Sequence, residues 1–135
     1  MLSVTTRIRP EFYDLDPMGV VWHGNYPRFL EIGRCALMER IGYSYPEMTE
    51  SGFLWPVVHL QLKYVRPAKL HQALEVVATL TEYHTRLKVD YEIRDAASGE
   101  VITKGYTVQV AVSAATGETQ LECPEALLAK LETVA

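Results

Sequence analysis

The segment whose residue types are best suited to catalysis runs from Tyr13 to Tyr26 and reads YDLDPMGVVWHGNY. It carries two carboxylates, Asp14 and Asp16, and a histidine, His23, and it leads directly into a sequence with helical periodicity. The first turn of a helix leaves backbone N–H groups unpaired and carries a partial positive charge. A carboxylate a few residues upstream therefore faces donors that can polarise a carbonyl group. This pairing indicates hydrolysis of an activated carbonyl compound.

One long helix is predicted immediately after this segment. Asn25 is a suitable N-cap, Pro27 is tolerated in the first turn, and Gly42 is a typical helix stop. Gly33, in the middle of the apolar face, costs about 1 kcal/mol relative to alanine, so we expect it to let the helix lie close to a sheet. The predicted face, with the spacing of one side of a helix, consists of Tyr26, Phe29, Leu30, Gly33, Leu37 and Ile41.

Alternation of apolar and polar residues predicts strands in most of the remaining chain. The first strand includes Val4, Thr6 and Ile8 and ends near Pro10. Four further strands are predicted over residues 57–66, 73–83, 86–94 and 101–113. A short terminal helix is predicted over residues 124–131. One helix followed by an antiparallel meander is an α+β arrangement. No linker or repeat divides the chain, so residues 1–135 are expected to form a single domain.

The signature Y-D-x-D-x-x-G-V-V-x-H-x-N-Y of residues 13–26, followed by Phe29 and Arg34, resembles that of the hotdog-fold acyl-CoA thioesterases of the 4-hydroxybenzoyl-CoA thioesterase and YbgC group. The resemblance continues through YVRPA at residues 64–68 and covers nearly the whole chain. It implies a hotdog fold, in which an antiparallel sheet wraps around one long central helix. Such folds usually dimerise by joining two sheets edge to edge, so a homodimer or homotetramer is expected.

The two aspartates differ in their expected roles. By itself, an aspartate before Pro17 and near Gly19 is explained as a turn residue. The resemblance implies instead that Asp16 is the catalytic acid, either as general base for water or as a nucleophile that forms a mixed anhydride with the acyl group. Both routes suit an ionised carboxylate, and the sequence leaves both open. Asp14 is expected to be a structural acceptor for nearby backbone groups.

The residues at the helix start are expected to complete the site. Members of the YbgC branch carry histidine at the position of His23, which implies that it positions the water or the thioester; the alternative is a partly exposed histidine without a role. The oxyanion contact is expected from a backbone N–H between His23 and Tyr26, a span that includes Gly24 and Asn25. The Tyr26 ring either lines an acyl pocket or belongs to the core.

Composition narrows the possible partners. A formal net charge of −4 and the absence of a lysine or arginine run argue against nucleic acid. The N-terminus has no apolar targeting region, and no stretch approaches the roughly 18 apolar residues of a membrane helix, so a cytoplasmic protein is expected. Cys35 and Cys123 lie far apart and have no histidine at metal-binding spacing, which indicates reduced thiols and no metal site.

The expected function is hydrolysis of an acyl-CoA thioester, with coenzyme A as part of the substrate and no dissociable cofactor. Two alternatives are a hotdog hydratase or dehydratase and a non-catalytic acyl-thioester-binding subunit. The aspartate-plus-glycine signature favours the thioesterase over a hydratase or dehydratase. Asp16 and His23 favour it over a non-catalytic subunit. The acyl group is left open. The basic residues Lys63, Arg66, Arg86 and Lys88 either contact the phosphates of coenzyme A or lie on solvated strand faces.

Overall fold

The computed structural model describes residues 1–134, and one long helix forms its centre. The helices are α1 (Tyr26–Ile41), α2 (Tyr45–Ser51) and α3 (Glu125–Val134). The strands are β1 (Ser3–Ile8), β2 (Phe53–Leu54), β3 (Val57–Tyr64), β4 (Leu74–Glu82), β5 (Leu87–Asp95), β6 (Val101–Gln109) and β7 (Val112–Ser113). Two short 3-10 turns, Phe12–Asp14 and His23–Asn25, precede α1; the first contains Asp14, and Asp16 lies between the two.

Five strands form one antiparallel sheet in the order β1-β4-β5-β6-β3, which leaves β1 and β3 at its edges. Helix α1 packs mainly against β1 and β4. Strands β2 and β7 form a separate antiparallel pair. The predicted α+β arrangement, with an antiparallel sheet around a long helix, is therefore confirmed.

The apolar face predicted for α1 is buried along its whole length, from Tyr26 to Ile41. It meets the alternate residues of β4 that point to the same side, including Val76. Gly33 lies so close to this strand that a Cβ atom added there would be 2.7 Å from the Cγ1 atom of Val76. The expectation that Gly33 permits close packing of helix and sheet is confirmed. Gly42 ends the helix in the left-handed conformation, with φ of +83°.

Three elements differ from the sequence prediction. The strand predicted over residues 101–113 is interrupted, because the chain leaves the main sheet after Gln109 and pairs again as β7 with β2. Ala111, and not Val110, is buried there, so the alternation of buried residues breaks although apolar residues still alternate in the sequence. Helix α2 and strand β2 were not predicted. The sequence does mark the start of α2, because Ser44 and Glu47 have the spacing of a capping box, which they form in the structure.

Replacing Gly33 by alanine is expected to lower the free energy of unfolding by about 1–3 kcal/mol, because the new methyl group would overlap Val76. Denaturant unfolding measures this loss. The variant Val76→Ala removes the overlapping atoms, so Gly33→Ala should be far less destabilising in that background. Equal losses in the two backgrounds would contradict the close approach of helix and sheet.

Candidate active site

Asp16 lies in a tight turn in which both its backbone N–H and its carbonyl form hydrogen bonds. Its N–H donates to the Val20 carbonyl at 2.9 Å, and its carbonyl accepts from the Gly19 N–H at 3.0 Å. Gly19 has φ of +80°, which glycine adopts without strain. The Oδ1 atom of Asp16 accepts a hydrogen bond from the Met18 N–H at 2.8 Å. Within residues 1–134 the Asp16 carboxylate has no other hydrogen bond and no ion pair, so Oδ2 is free to meet water or substrate.

Asp14, by contrast, is only 3% exposed, and both its carboxylate and its carbonyl have hydrogen-bond partners. Its Oδ2 atom accepts from the Glu11 N–H at 2.8 Å, and its Oδ1 atom pairs with the Arg28 guanidinium on α1. Its carbonyl accepts from the Trp22 N–H at 2.9 Å and from the Asn25 side-chain amide at 2.8 Å. The structure thus confirms Asp14 as a structural acceptor. The pair with Arg28 was missed, because no local spacing links residues 14 positions apart.

The 3-10 turn before α1 presents unpaired donors. Asn25 stands at the N-cap position as predicted, but its side chain does not cap the helix and bonds to Asp14 instead. The Asn25 N–H donates to the Trp22 carbonyl at 2.9 Å. Neither the His23 N–H nor the Gly24 N–H has a hydrogen-bond partner within the described chain. The indole of Trp22 lies over Gly24, where a Cβ atom would be 2.4 Å from the ring. The free donors at the helix entrance therefore include those of His23 and Gly24.

Asp16 and His23 line a common open pocket of about 230 Å³. Tyr26 and Tyr64 also line it, with their rings edge to face and 5.2 Å between centroids. The Tyr64 hydroxyl donates to the His23 carbonyl at 2.8 Å, while the Tyr26 hydroxyl accepts from the Ala68 N–H at 3.2 Å. Burial raises the pKa of Tyr26, so this phenol stays neutral next to the Asp16 carboxylate.

The second motif of the sequence, residues 64–68, reaches the pocket through backbone hydrogen bonds. The N–H of Val21 donates to the Ala68 carbonyl at 2.9 Å, and Val20 forms an antiparallel bridge with Lys69. Tyr64 therefore faces the helix entrance although it lies 41 positions after His23. The two stretches that carry the family resemblance are distant in the chain but form one site.

Positive charge at this pocket comes from Arg66, whose guanidinium pairs with Glu100 at 2.9 Å and donates to the Val101 carbonyl at 3.0 Å. Lys63 and Lys88 line a different groove, on the outer face of the sheet. No group of three or more histidine, cysteine or acidic side chains within residues 1–134 is placed to hold a metal ion. No helix in that range is long and apolar enough to cross a membrane.

Comparison with known proteins identifies the family. A family model described as "Thioesterase-like superfamily" matches residues 10–131. The chain belongs to this thioesterase-like superfamily. A superfamily relative in Bacillus subtilis (strain 168), named "Putative acyl-CoA thioesterase YneP", is 31% identical over 106 residues, which are 78% of this chain and 76% of that protein.

Solved structures show the same fold for this thioesterase-like chain. The DHNA-CoA thioesterase from Staphylococcus aureus has a TM-score of 0.81 at 28% identity, and the match covers 90% of this chain and 81% of that one. A 4-hydroxybenzoyl-CoA thioesterase mutant in complex with 4-hydroxybenzoyl-CoA has a TM-score of 0.82, covering 96% and 98% of the two chains; at 20% identity this likeness shows the fold alone. The hotdog fold and the family resemblance are confirmed.

Because the Asp14 carboxylate is buried, its loss should cost more stability than the loss of an exposed carboxylate. Asp14→Asn is expected to lower the free energy of unfolding by about 1–3 kcal/mol, because Arg28 and the Glu11 N–H lose a charged acceptor. The matched control is Glu100→Gln, which removes the carboxylate of the exposed pair with Arg66 and should change stability by less than about 1 kcal/mol. Denaturant unfolding of both variants at one pH makes the comparison. Equal losses would contradict an anchoring role for Asp14.

Proposed function

We propose that this protein hydrolyses acyl-CoA thioesters and that Asp16 is its catalytic carboxylate. One observation carries the proposal: a carboxylate with a free oxygen stands next to the entrance of α1, where the N–H groups of His23 and Gly24 have no partner within residues 1–134. A carbonyl group between them would have a base or nucleophile on one side and donors on the other. The names of YneP and of the S. aureus enzyme support coenzyme A as the thiol half of the substrate.

Two routes suit the Asp16 carboxylate. As a general base, it takes a proton from water while the water oxygen attacks the thioester carbon. As a nucleophile, it attacks that carbon itself and forms a mixed anhydride, which water then hydrolyses. In both routes the carbon–sulfur bond breaks and coenzyme A leaves as the thiol. The Met18 N–H, by holding Oδ1, directs the remaining oxygen of Asp16 to this task in either route.

The N–H groups of His23 and Gly24 are proposed to stabilise the negative charge that develops on the carbonyl oxygen. Unpaired donors at the positive end of a helix stabilise such an oxyanion. Of the other candidates from the sequence, Asn25 uses its N–H within the turn and Tyr26 contributes its ring to the pocket. The His23 imidazole lines the pocket and is proposed to orient the water or the thioester.

Coenzyme A enters this proposal only as the leaving half of the substrate. Arg66 lines the same pocket and offers a positive charge to its phosphate groups. A hotdog hydratase or dehydratase would change the acyl chain and keep the thioester bond. A non-catalytic subunit would bind the thioester without turnover. Release of free thiol from acyl-CoA therefore separates the proposed function from both alternatives.

We further infer that the protein assembles through strand β3 as a homodimer or as a homotetramer that contains this dimer. All residues of β3 except Leu62 are exposed, and they include Val58 at 58% and Leu60 at 43% exposure. The other edge strand, β1, exposes only small or charged side chains: Ser3, Thr5 and Arg7. Natural proteins seldom leave an apolar edge strand uncovered. Pairing of two β3 strands would continue the sheet across both copies.

Asp16→Asn tests the catalytic assignment. The substitution keeps the size of the side chain and an oxygen for the Met18 N–H, but it removes the charge that both routes require. We expect hydrolysis to fall by roughly two to four orders of magnitude, while acyl-CoA binding and the unfolding temperature stay close to those of the unsubstituted protein. Thiol release from a panel of aliphatic and aromatic acyl-CoA thioesters, with thermal unfolding of the same preparations, measures both properties.

The comparison variant is His23→Ala, which leaves Asp16 and the backbone donors in place and should reduce turnover only partially. A loss as complete as that of Asp16→Asn would make the imidazole an obligatory acid or base. If Asp16→Asn keeps more than about a tenth of the original turnover, which corresponds to less than about 1.4 kcal/mol of barrier, Asp16 is not the catalytic carboxylate.

Assembly through β3 predicts that the protein sediments as a dimer or larger species at micromolar concentration. Leu60→Lys places a charge on the exposed apolar edge and should shift the protein towards the monomer. Thr5→Lys, which adds the same charge to the opposite edge, is the matched control and should leave the assembly unchanged. Analytical ultracentrifugation distinguishes these states, and a fully active monomer would refute the inference.

A further inference from the structure

The hydroxyl of Tyr64 contacts the peptide group that carries one of the proposed oxyanion donors. The Gly24 N–H belongs to the peptide bond between His23 and Gly24, and the oxygen of that peptide group accepts the hydrogen bond from Tyr64 at 2.8 Å. This bond is trans, and a trans peptide group is planar, with its C=O and N–H pointing in opposite directions. A contact that fixes the oxygen therefore also fixes the direction of the N–H.

The local sequence gives the His23 carbonyl a need for a donor from outside the helix. A carbonyl in or just before an α-helix accepts the N–H of the residue four positions later. That residue is Pro27, which has no N–H. The Tyr64 hydroxyl, from the end of β3, supplies a hydrogen bond that position 27 cannot supply. A phenol has one proton to donate, and Tyr64 donates it to the His23 carbonyl.

Aromatic packing holds the Tyr64 ring in place. The ring meets that of Tyr26 edge to face, with 5.2 Å between centroids, and lies 6.3 Å from the imidazole of His23. Tyr26 is itself fixed, because it is buried at the first position of α1 and its hydroxyl accepts from the Ala68 N–H at 3.2 Å. The Tyr64 hydroxyl is therefore directed at the helix entrance without help from a substrate.

The same peptide group is confined from a second direction by Trp22. The indole of Trp22 lies over Gly24 so closely that a Cβ atom there would overlap the ring. The Trp22 N–H donates to the carbonyl of the buried Asp14 at 2.9 Å, which ties this residue to the anchored segment. Trp22 thus restricts the Gly24 Cα atom, while Tyr64 restricts the peptide oxygen. Donors that are fixed in advance stabilise an oxyanion most effectively.

Tyr64 also lies where a bound substrate would change its surroundings. Together with His23 it lines the pocket that contains Asp16, and it is 48% exposed in the free protein. An acyl-CoA molecule in this pocket would cover the ring and exclude water from the hydrogen bond to the His23 carbonyl. A hydrogen bond is stronger away from water, and hydrogen bonds in series polarise one another. The covered contact would therefore make the N–H of the same peptide group a better donor.

We propose that Tyr64 is a positioning residue: its hydroxyl holds the His23–Gly24 peptide group so that the Gly24 N–H points at the carbonyl oxygen of the thioester. This role rests on the thioesterase function and the oxyanion donors proposed above. Tyr64 gives no proton to the substrate and acts only through the peptide group. An interaction that strengthens as charge develops on the oxygen raises kcat and leaves KM largely unchanged.

Tyr64→Phe tests this role, because it removes the hydroxyl and keeps the ring that packs on Tyr26. We expect kcat for acyl-CoA to fall by about ten- to a hundredfold while KM changes by less than about threefold. The pH dependence of kcat should keep its shape. Tyr106→Phe is the matched control: its hydroxyl also faces a β3 residue, His59 at 3.4 Å, but on the outer face of the sheet, so turnover should be unchanged. Thiol release and thermal unfolding of each variant make the comparison.

Infrared spectroscopy tests the oxyanion contact without turnover. An acyl-CoA thioester with a ¹³C-labelled carbonyl is bound to the Asp16→Asn variant, and its carbonyl stretching frequency is recorded. Hydrogen-bond donors polarise the carbonyl and lower this frequency. Adding Tyr64→Phe to Asp16→Asn should raise the frequency, because the Gly24 N–H is then less well directed. Adding Tyr106→Phe instead should leave it unchanged.

The outcomes separate the role of Tyr64 from the function on which it rests. Absence of thiol release from every thioester with the unsubstituted protein would overturn the thioesterase function itself. If the protein does release thiol, an unchanged kcat in Tyr64→Phe, a loss confined to KM or an unchanged carbonyl frequency would overturn the role of Tyr64 alone. Loss of one limb of the pH profile would also overturn it, since Tyr64 would then exchange a proton itself. Failure of Tyr64→Phe to fold would contradict it as well, because only one exposed hydrogen bond is removed.

Discussion

The buried Asp14 residue is the constraint on which the site depends. Its carboxylate binds Arg28 on α1 and the Glu11 N–H, and its carbonyl binds Trp22 and Asn25 on the chain that enters the helix. Asp14 thus joins the segment before the Asp16 turn to the residues at the helix entrance. A buried carboxylate is stable only when such partners surround it, so the turn and the helix start hold a fixed relative position.

This anchor gives the two neighbouring aspartates opposite properties. Asp14 is satisfied inside the protein, and Asp16, two residues later, keeps one oxygen free at the pocket. Helix α1 itself is held close to the sheet, because Gly33 in the middle of the helix leaves room for Val76. Donors and carboxylate are therefore held in place before a substrate arrives, which is the arrangement that stabilises a developing oxyanion.

The elements governed by local patterns were predictable from the sequence. Helical spacing and Gly42 defined α1, and the motif around Asp16 defined the site segment. The interrupted strand after Gln109 was not predictable, since apolar alternation continues while the chain changes its partner strand. The contacts that complete the pocket also lacked a sequence signal: Tyr64 reaches the His23 carbonyl from 41 positions away. Such contacts are set by the tertiary fold and leave no periodic pattern.

The assigned roles are tested most directly by a crystal structure of the Asp16→Asn variant with an intact acyl-CoA thioester. The proposed mechanism predicts that the thioester oxygen lies within about 3 Å of the backbone nitrogen of His23 or Gly24. The side chain at position 16 should then stand next to the thioester carbon. A thioester bound with its oxygen away from the helix entrance, or with its carbon out of reach of position 16, would contradict the proposed mechanism.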